Sequence, residues 1–444
     1  MSDPAPRTRM KLHTKILLGL LVGLAAGVAT NLTVGPDHPV VERINAWVAV
    51  PVGQIFLRML FMVVIPLVFA SVALGVASIG DIRKAGRIGG KTLAYFFITT
   101  AMAATLGLVI VNLMRPWERV APETRVELME QFAGDAATRI ETSQQQRFGI
   151  QTLINIVPRN PIDSAARTDL LGVIFFALLF GAALTLIPAA TAKPMIDVLD
   201  ALNAVVTAII HFAMLLAPLG VAALIFTVSS SFGFELMIAV AAFVVTVLLA
   251  LAVHVAFTLS SIVKFLVRMS PVMFFSRVRA SLITAFSTSS SAATLPTNLD
   301  VAQEQLGVPQ RIAGFVLPLG ATLCMNGTAI FEGITVIFLA EIFGVSLSIG
   351  QMAIVMVMCV VTAIGAAGVP GGSIPLLVGI LTMFGVPGEG IAIVLGVDRI
   401  LDMSRTTVNV CGDLTATIWL AHSEGVWSAD QIPEPGKKLV GAKP

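Results

Sequence analysis

Five polar residues recur along one stretch near the end of the 444-residue chain: Asp398, Asp402, Arg405, Asn409 and Asp413, at spacings of 4, 3, 4 and 4. With about 3.6 residues per turn, these spacings place all five on one face of a helix, and Thr406 borders that face. The opposite face, with Ile400, Leu401, Val408 and Val410, is apolar and suits lipid or neighbouring helices. A charge at the centre of a membrane helix costs roughly 2.5–3.5 kcal/mol even on a mild insertion scale, so the carboxylates and the guanidinium need partners. A structural ion pair between Asp402 and Arg405, one turn apart, satisfies those two and leaves Asp413 unmatched at greater depth. A bound cation or a proton is the simplest remedy for Asp413.

The preceding apolar stretch carries Pro318, Gly320, Thr322, Cys324, Asn326, Gly327, Thr328 and Glu332. Gly320 and Gly327 loosen a helix, which would free the carbonyls of Gly320, Thr322 and Cys324. Hard cations take oxygen ligands, and such carbonyls together with Asp413 would supply them. Asn326 and Thr328 add polar side chains at the same depth. Glu332 is a lone acid on an apolar helix, suited to gaining and losing a proton during a cycle; a hydrogen-bonded structural acid is the alternative.

The elements that must position these groups are membrane helices. The chain is 56% apolar and 12% charged, with a mean hydropathy of +0.92, more apolar surface than a water-soluble domain of this length can hide. The apolar stretches are long and continuous rather than short and alternating, which excludes a β-barrel. Spans are expected at about 13–34, 44–78 and 91–114, then a polar loop at 115–147. A segment at about 149–188, broken by Pro158 and Pro161, and spans at about 195–228 and 234–268 follow. Beyond them, the segments at about 272–306 and 350–386 are interrupted by small and polar residues at 287–293 and 365–373. Each half is too short to cross about 30 Å of hydrocarbon, so each segment is expected to enter and return as a helical hairpin. Full-length spans at about 310–345 and 388–422 follow the hairpins, an inverted repeat of hairpin plus helix. Hairpin tips present free N–H groups to anions and free carbonyls to cations. The fold class is thus all-α, with eight transmembrane helices and two re-entrant helical hairpins. Basic residues before residue 12, at 83–91, at 264–279 and at 437–443 place those segments and both termini on the cytoplasmic side.

Other chemistries find little support. No basic stripe with interleaved aromatics marks a nucleic-acid surface. Cys324, Cys359 and Cys411 lie in apolar stretches without a CxxC pair, so neither a disulfide framework nor a metal knuckle is expected. The basic N-terminus and the run from Ile16 to Leu32 read as a retained first helix rather than a cleaved signal. No histidine accompanies the serine run or the charged stripe: His211 and His254 fall inside helices and His13, His38 and His422 flank spans, which argues against a hydrolase. A channel would use continuous polar rings, whereas interrupted hairpins closing over one site suit alternating access.

The serine-rich tip, the Met-Asn-Gly-Thr turn, the Gly-Ala-Ala-Gly-Val-Pro-Gly tip and Asp-Met-Ser-Arg-Thr-Thr-Val-Asn-Val-Cys-Gly-Asp resemble the glutamate transporter family. This is the dicarboxylate/amino acid:cation symporter family of archaeal aspartate transporters and animal excitatory amino acid carriers, and the order of motifs matches along nearly the whole chain. The resemblance implies a secondary active symporter for aspartate or glutamate, with a C4-dicarboxylate carrier of the same family and an anion-conducting channel as alternatives. It implies a homotrimer in the plasma membrane (the inner membrane of a bacterium), in which a transport domain slides like an elevator against a scaffold. Residues 1–90 and 115–230 would form scaffold helices and an extracellular loop; 91–114, 231–269 and 270–423 the transport domain and its core; and 424–444 a cytoplasmic tail. Arg405 matches the arginine that clamps the substrate's side-chain carboxylate, and Asp402 the acid that takes its α-amino group. Asn409, Ser290, Ser291 and the region of Val369 match groups around the α-carboxylate and the lid, and Thr328 and Thr406 match hydroxyl contacts. Asp413 with carbonyls of Gly320, Cys324 and Asn409 matches one sodium site. Carbonyls of Thr322, Ala363, Ile364 and Ala366 match a second.

The departures concern the ions. Cys324 and Asn326 stand where the family's Asn-Met-Asp-Gly-Thr turn has an asparagine and an aspartate that help bind a third sodium. Phe96 replaces a tyrosine near that site, although Tyr95, Thr99 and Thr100 match. A third sodium site built on Thr99, Thr100 and Asn326 lacks a full negative charge and is expected to be absent or weak. Glu332 matches the proton-carrying acid of the animal carriers, so coupling to protons, with or without sodium, is expected. The family's second arginine is replaced by Ser289 or Met403, which predicts a less positive substrate site. Asp402 argues against a plain C4-dicarboxylate, because a ligand without an amine would leave that acid uncompensated.

Overall fold

The computed structural model describes residues 12–36, 38–84, 86–121, 124–126, 128, 157–167, 169–365 and 371–432. Among the described residues every regular element is helical. Six stretches are long and apolar enough to cross a membrane: Thr14–Thr33, Pro39–Ala77, Arg87–Arg119, Ala189–Phe232, Leu236–Leu266 and Gln310–Ile342.

The first helix, α1 (Leu12–Thr33), carries Gly19, Gly23 and Gly27 at intervals of four. A Cβ at Gly19 or Gly23 would meet the backbone of Pro218 or Ala222, so these glycines bring two helix backbones together, as small residues do in lipid. The stretch expected as a span at 44–78 is jointed: α2 (Pro39–Ile44), a π-helical turn (Asn45–Ala49), α3 (Val50–Phe61) and α4 (Val64–Lys84). The joint at Met62–Val63 has a cause in Pro66, which has no N–H to donate to the carbonyl four residues back. Next come α5 (Arg87–Met114), the short α6 (Pro161–Ala166), α7 (Leu170–Leu186) and α8 (Ala189–Val253). Two spans had been expected to part between 228 and 234, but helical bonding runs through that interval without a break. Ser229 turns its hydroxyl onto the Ile225 carbonyl at 2.6 Å, so the serines there satisfy themselves within the helix.

The chain after residue 270 supplies the site. Helix α9 (Pro271–Thr288) ends at Ser289, whose left-handed φ of 51° stops it, and α10 (Ser291–Asp300) restarts with Ser290 as N-cap. Ser276, Arg277 and Ala280 of the first arm line one cleft with Asp300, Val301 and Glu304 of the second, so the segment folds back on itself. The next span is broken into α11 (Gln310–Leu323) and α12 (Asn326–Ile342) by the non-helical residues Cys324 and Met325. Helix α13 (Ile349–Gly365) leads to the second interruption, of which residues 366–370 lie outside the described residues. Gly371, with φ of 76°, precedes α14 (Ile374–Met383). The 32-residue α15 (Ala392–Ser423) closes the core. At about 1.5 Å per residue α15 is long enough to span, and its charged and polar residues separate it from the six apolar stretches. Both arms of the first hairpin, both halves of the broken span and α5 pack on α15.

Candidate functional site

Helix α12 is buried on every side from Asn326 to Ala340, and α15 presents its polar stripe to it. The two approach closely because Gly327 has no side chain: a Cβ there would run into the backbone of Arg405. Asn409 joins them, its Oδ1 accepting the Gly327 and Thr328 N–H groups at 2.8 and 3.4 Å. These amides belong to the first turn of α12, so Asn409 caps that helix from across the interface. Its Nδ2 donates to Thr328 Oγ1 at 3.1 Å and faces Met325 Sδ at 3.2 Å.

One turn away the charges interlock. Arg405 is fully buried, and its Nε and Nη2 both reach Asp402 Oδ1, at 3.1 and 2.9 Å. Its Nη1 reaches Asp398 Oδ1 at 3.0 Å, and its guanidinium stacks over the Phe331 ring at 4.3 Å. Asp402 Oδ2 accepts the Gly371 N–H at 3.4 Å, which brings the far side of the second interruption onto the stripe. The same oxygen lies 3.6 Å from Arg399 Nη1. No second cation stands at the Ser289 or Met403 positions, but Arg399 supplies one from a third position. The expectation of a less positive site is therefore corrected. So is the argument that Asp402 needs a substrate amine, since both its oxygens have cationic neighbours.

Two turns beyond Arg405, Asp413 is completely buried; among the described residues no nitrogen or oxygen donor bonds its carboxylate, and the Cys324 thiol stands against it. A Cβ on Gly320 would come within 2.5 Å of Asp413 Oδ1, so the glycine makes room for the carboxylate. The Cys324 thiol faces Asn326 Oδ1 at 4.0 Å. An unpaired buried carboxylate is costly, and an oxygen donor of this kind beside the unwound Cys324–Met325 backbone fits a small monovalent cation. The Gly320 carbonyl keeps its helical bond to Cys324 N–H at 2.9 Å, which leaves one lone pair for a ligand.

Asn326, Thr99 and Thr100 also come together. Asn326 Oδ1 accepts from Thr100 Oγ1 at 2.9 Å and lies 3.4 Å from Thr99 Oγ1, which donates to the Tyr95 carbonyl at 2.8 Å; its Nδ2 and the buried Tyr95 hydroxyl have no partner among the described residues. Glu332 is completely buried, with Oε2 2.8 Å from Thr362 Oγ1 and Oε1 without a partner. At the first tip, Ser290 Oγ accepts the Ala293 N–H at 3.1 Å and Ser291 is buried. Thr406 is buried beside Arg405, whereas Thr322 turns its hydroxyl onto the Leu319 carbonyl at 2.9 Å. Ala363 and Ile364 belong to the last turn of α13, and Ala366 and Val369 lie outside the described residues. Arg399, Thr362 and the Gly371 N–H escaped sequence reasoning. Arg399 had a signal, standing three residues before Asp402, whereas the other two come from remote elements.

A sequence model of the sodium:dicarboxylate symporter family matches residues 12–423. The chain belongs to this family. Its relatives include a proton/sodium-glutamate symport protein of Bacillus caldotenax, 33% identical over 423 residues, 95% of this chain and 97% of the relative. A proton/glutamate-aspartate symporter of Escherichia coli (strain K12) is 35% identical, covering 94% of this chain and 93% of its own. A C4-dicarboxylate transport protein of Bacillus subtilis (strain 168) is 33% identical, over 94% and 95%. The symporter is thus a membrane transport protein and not an enzyme, and the buried stripe on α15 is read as a site for solute and ions.

Proposed function

We propose that this symporter imports an acidic amino acid, aspartate or glutamate, together with Na⁺ and H⁺. The observation that carries the reading is Arg405: a fully buried guanidinium held by Asp398 and Asp402, positioned to exchange one partner for a substrate carboxylate. In this reading Arg405 clamps the side-chain carboxylate and Asp402 takes the α-amino group. Asn409, Ser290, Ser291 and the Val369 region surround the α-carboxylate, with hydroxyl contacts from Thr328 and Thr406. Asp413, with carbonyls of Gly320, Cys324 and Asn409, holds one Na⁺. A second sits on carbonyls of Thr322, Ala363, Ile364 and Ala366, and Glu332 carries the proton. No third Na⁺ binds at Asn326, because its amide oxygen already accepts the Thr100 hydroxyl and brings no negative charge.

The chain crosses the plasma membrane eight times with two re-entrant hairpins and both termini cytoplasmic, and it assembles as a homotrimer. Residues 91–114, 231–269 and 270–423 move as an elevator against scaffold helices in 1–90 and 115–230, a motion that requires α8 to bend between its two apolar stretches, Ala189–Phe232 and Leu236–Leu266. Support for grouping α5 with the moving core comes from its contacts with α12 and α15. The names of the relatives support the substrate and both ions. Uptake of labelled aspartate and glutamate into proteoliposomes, under separately imposed Na⁺ and pH gradients, tests the proposal. Uptake driven by each gradient alone and fastest with both is expected; uptake that ignores the pH gradient would remove the role of Glu332.

A further inference from the structure

Asp402 sits between two guanidiniums on its own helix, Arg399 one turn before it and Arg405 one turn after. The two pairings differ in kind. Arg405 donates two hydrogen bonds to Oδ1 at 2.9 and 3.1 Å and is anchored again on Asp398 at 3.0 Å, so it is held from three directions. Arg399 stands 3.6 Å from Oδ2, within ion-pair reach but beyond a good hydrogen bond, and its buried Nε has no partner. Arg399 is therefore the loosely held, exchangeable partner of Asp402. Two acids and two arginines sum to zero charge before any ligand arrives.

That balance decides which ligands the site accepts. An acidic amino acid brings an ammonium, which replaces Arg399 at Asp402 Oδ2. A C4-dicarboxylate brings none, and a site whose only cation was Arg405 would then bury Asp402 beside two further carboxylates. With Arg399 in place, Asp402 stays neutralised and Arg405 remains available. We propose that Arg399 is a specificity-determining positioning residue: it compensates Asp402, so that C4-dicarboxylates without an amine are transported alongside acidic amino acids. The inference rests on the reading of α15 as the substrate site.

The test is uptake of labelled L-aspartate and succinate by the full chain in proteoliposomes under identical ion gradients, with KM measured for each. Wild type is expected to transport both. Arg399→Gln should raise the KM for succinate by about tenfold or more while changing that for aspartate by less than about threefold, and Arg399→Lys should largely restore the wild-type ratio. Equal changes for both substrates would make Arg399 merely structural and overturn the proposal. Arg399→Met gives an independent reading if Arg399→Gln fails to fold: the KM for succinate should again rise by about tenfold or more while that for aspartate changes by less than about threefold. Equal loss of both would again overturn it. Wild type that transports aspartate and not succinate overturns this inference alone; wild type that transports neither overturns the substrate assignment as well.

Discussion

Thr362 Oγ1 lies 2.8 Å from Glu332 Oε2 and 2.7 Å from the Met358 carbonyl, all inside the protein. A hydroxyl has one proton to give. If Thr362 gives it to Met358, the bond to Glu332 forms only when Glu332 is the donor, that is, protonated. If Thr362 gives it to Glu332, the contact with the Met358 carbonyl is left without a proton. The pair thus holds Glu332 in a geometry that distinguishes its two protonation states. Replacing Glu332 by Gln, which keeps a donor there, should abolish the response of uptake to a pH gradient while leaving substrate binding. Thr362→Val should weaken that response by roughly tenfold, the loss of one buried hydrogen bond. Uptake at a series of imposed pH gradients reads both, and a Glu332→Gln protein still driven by protons would sink the assignment.

Arg405→Cys removes a buried cation, strands Asp398 and leaves Asp402 with Arg399 alone. Breaking such a pair costs about 3–5 kcal/mol, equivalent to a loss of roughly 100-fold or more in acidic-substrate uptake. The vacated space and lost charge should let the variant take up a neutral amino acid, measured by competition of serine or cysteine against labelled substrate.

Asp413→Asn should abolish the dependence of substrate binding on Na⁺, because the carboxylate beside Gly320 is lost. Titrating Na⁺ while following aspartate binding by calorimetry checks this. An unchanged Na⁺ midpoint would move the ion elsewhere.

Gly327→Ala should destabilise the core by about 1–3 kcal/mol, since a methyl group there meets the Arg405 backbone rather than a flexible side chain. A lowered melting temperature in detergent, together with weakened substrate binding, is the expected outcome. Gly90→Ala, where a Cβ meets open space, serves as the control.

Glu424 accepts from both Lys91 and Arg87, and those hydrogen bonds hold its carboxyl below the ordinary carboxylate range. The folded state therefore favours the charged form. The stabilisation is complete above the unfolded value and is lost as pH falls through the lowered folded value. Because Arg87 is largely exposed, the contribution is small and screened by salt. Glu424→Gln should lower thermal stability slightly at neutral pH and not at all in strong acid, measured as melting temperature against pH.

The charged stripe was legible in the sequence because helical periodicity maps spacing directly onto a face, and because charges in an apolar stretch are expensive enough to be purposeful. The break at Ser289–Ser290 was legible for a related reason, since serine runs interrupt helices locally, whereas the span at 310–345 was expected to be loosened by Gly320 and Gly327 and is in fact broken at Cys324–Met325. The expected break between 228 and 234 was not found, because Ser229 satisfied itself within the helix instead of capping one. Arg399 was overlooked although its i,i+3 spacing to Asp402 was visible, because Asp402 had already been paired with Arg405 on its other side.

By itself, then, the sequence determined what is local: apolar lengths, interruption points and the residues that share the α15 face. Tertiary structure decided which groups meet across elements. Asn409 caps α12, Gly371 reaches Asp402, Thr362 reaches Glu332, and Asp413 is left without a cationic partner among the described residues. The reason is physical. Helical spacing follows from backbone geometry within a few residues, whereas these contacts, some separated by 30 to 82 residues, depend on how the helices pack around Gly327 and along α15.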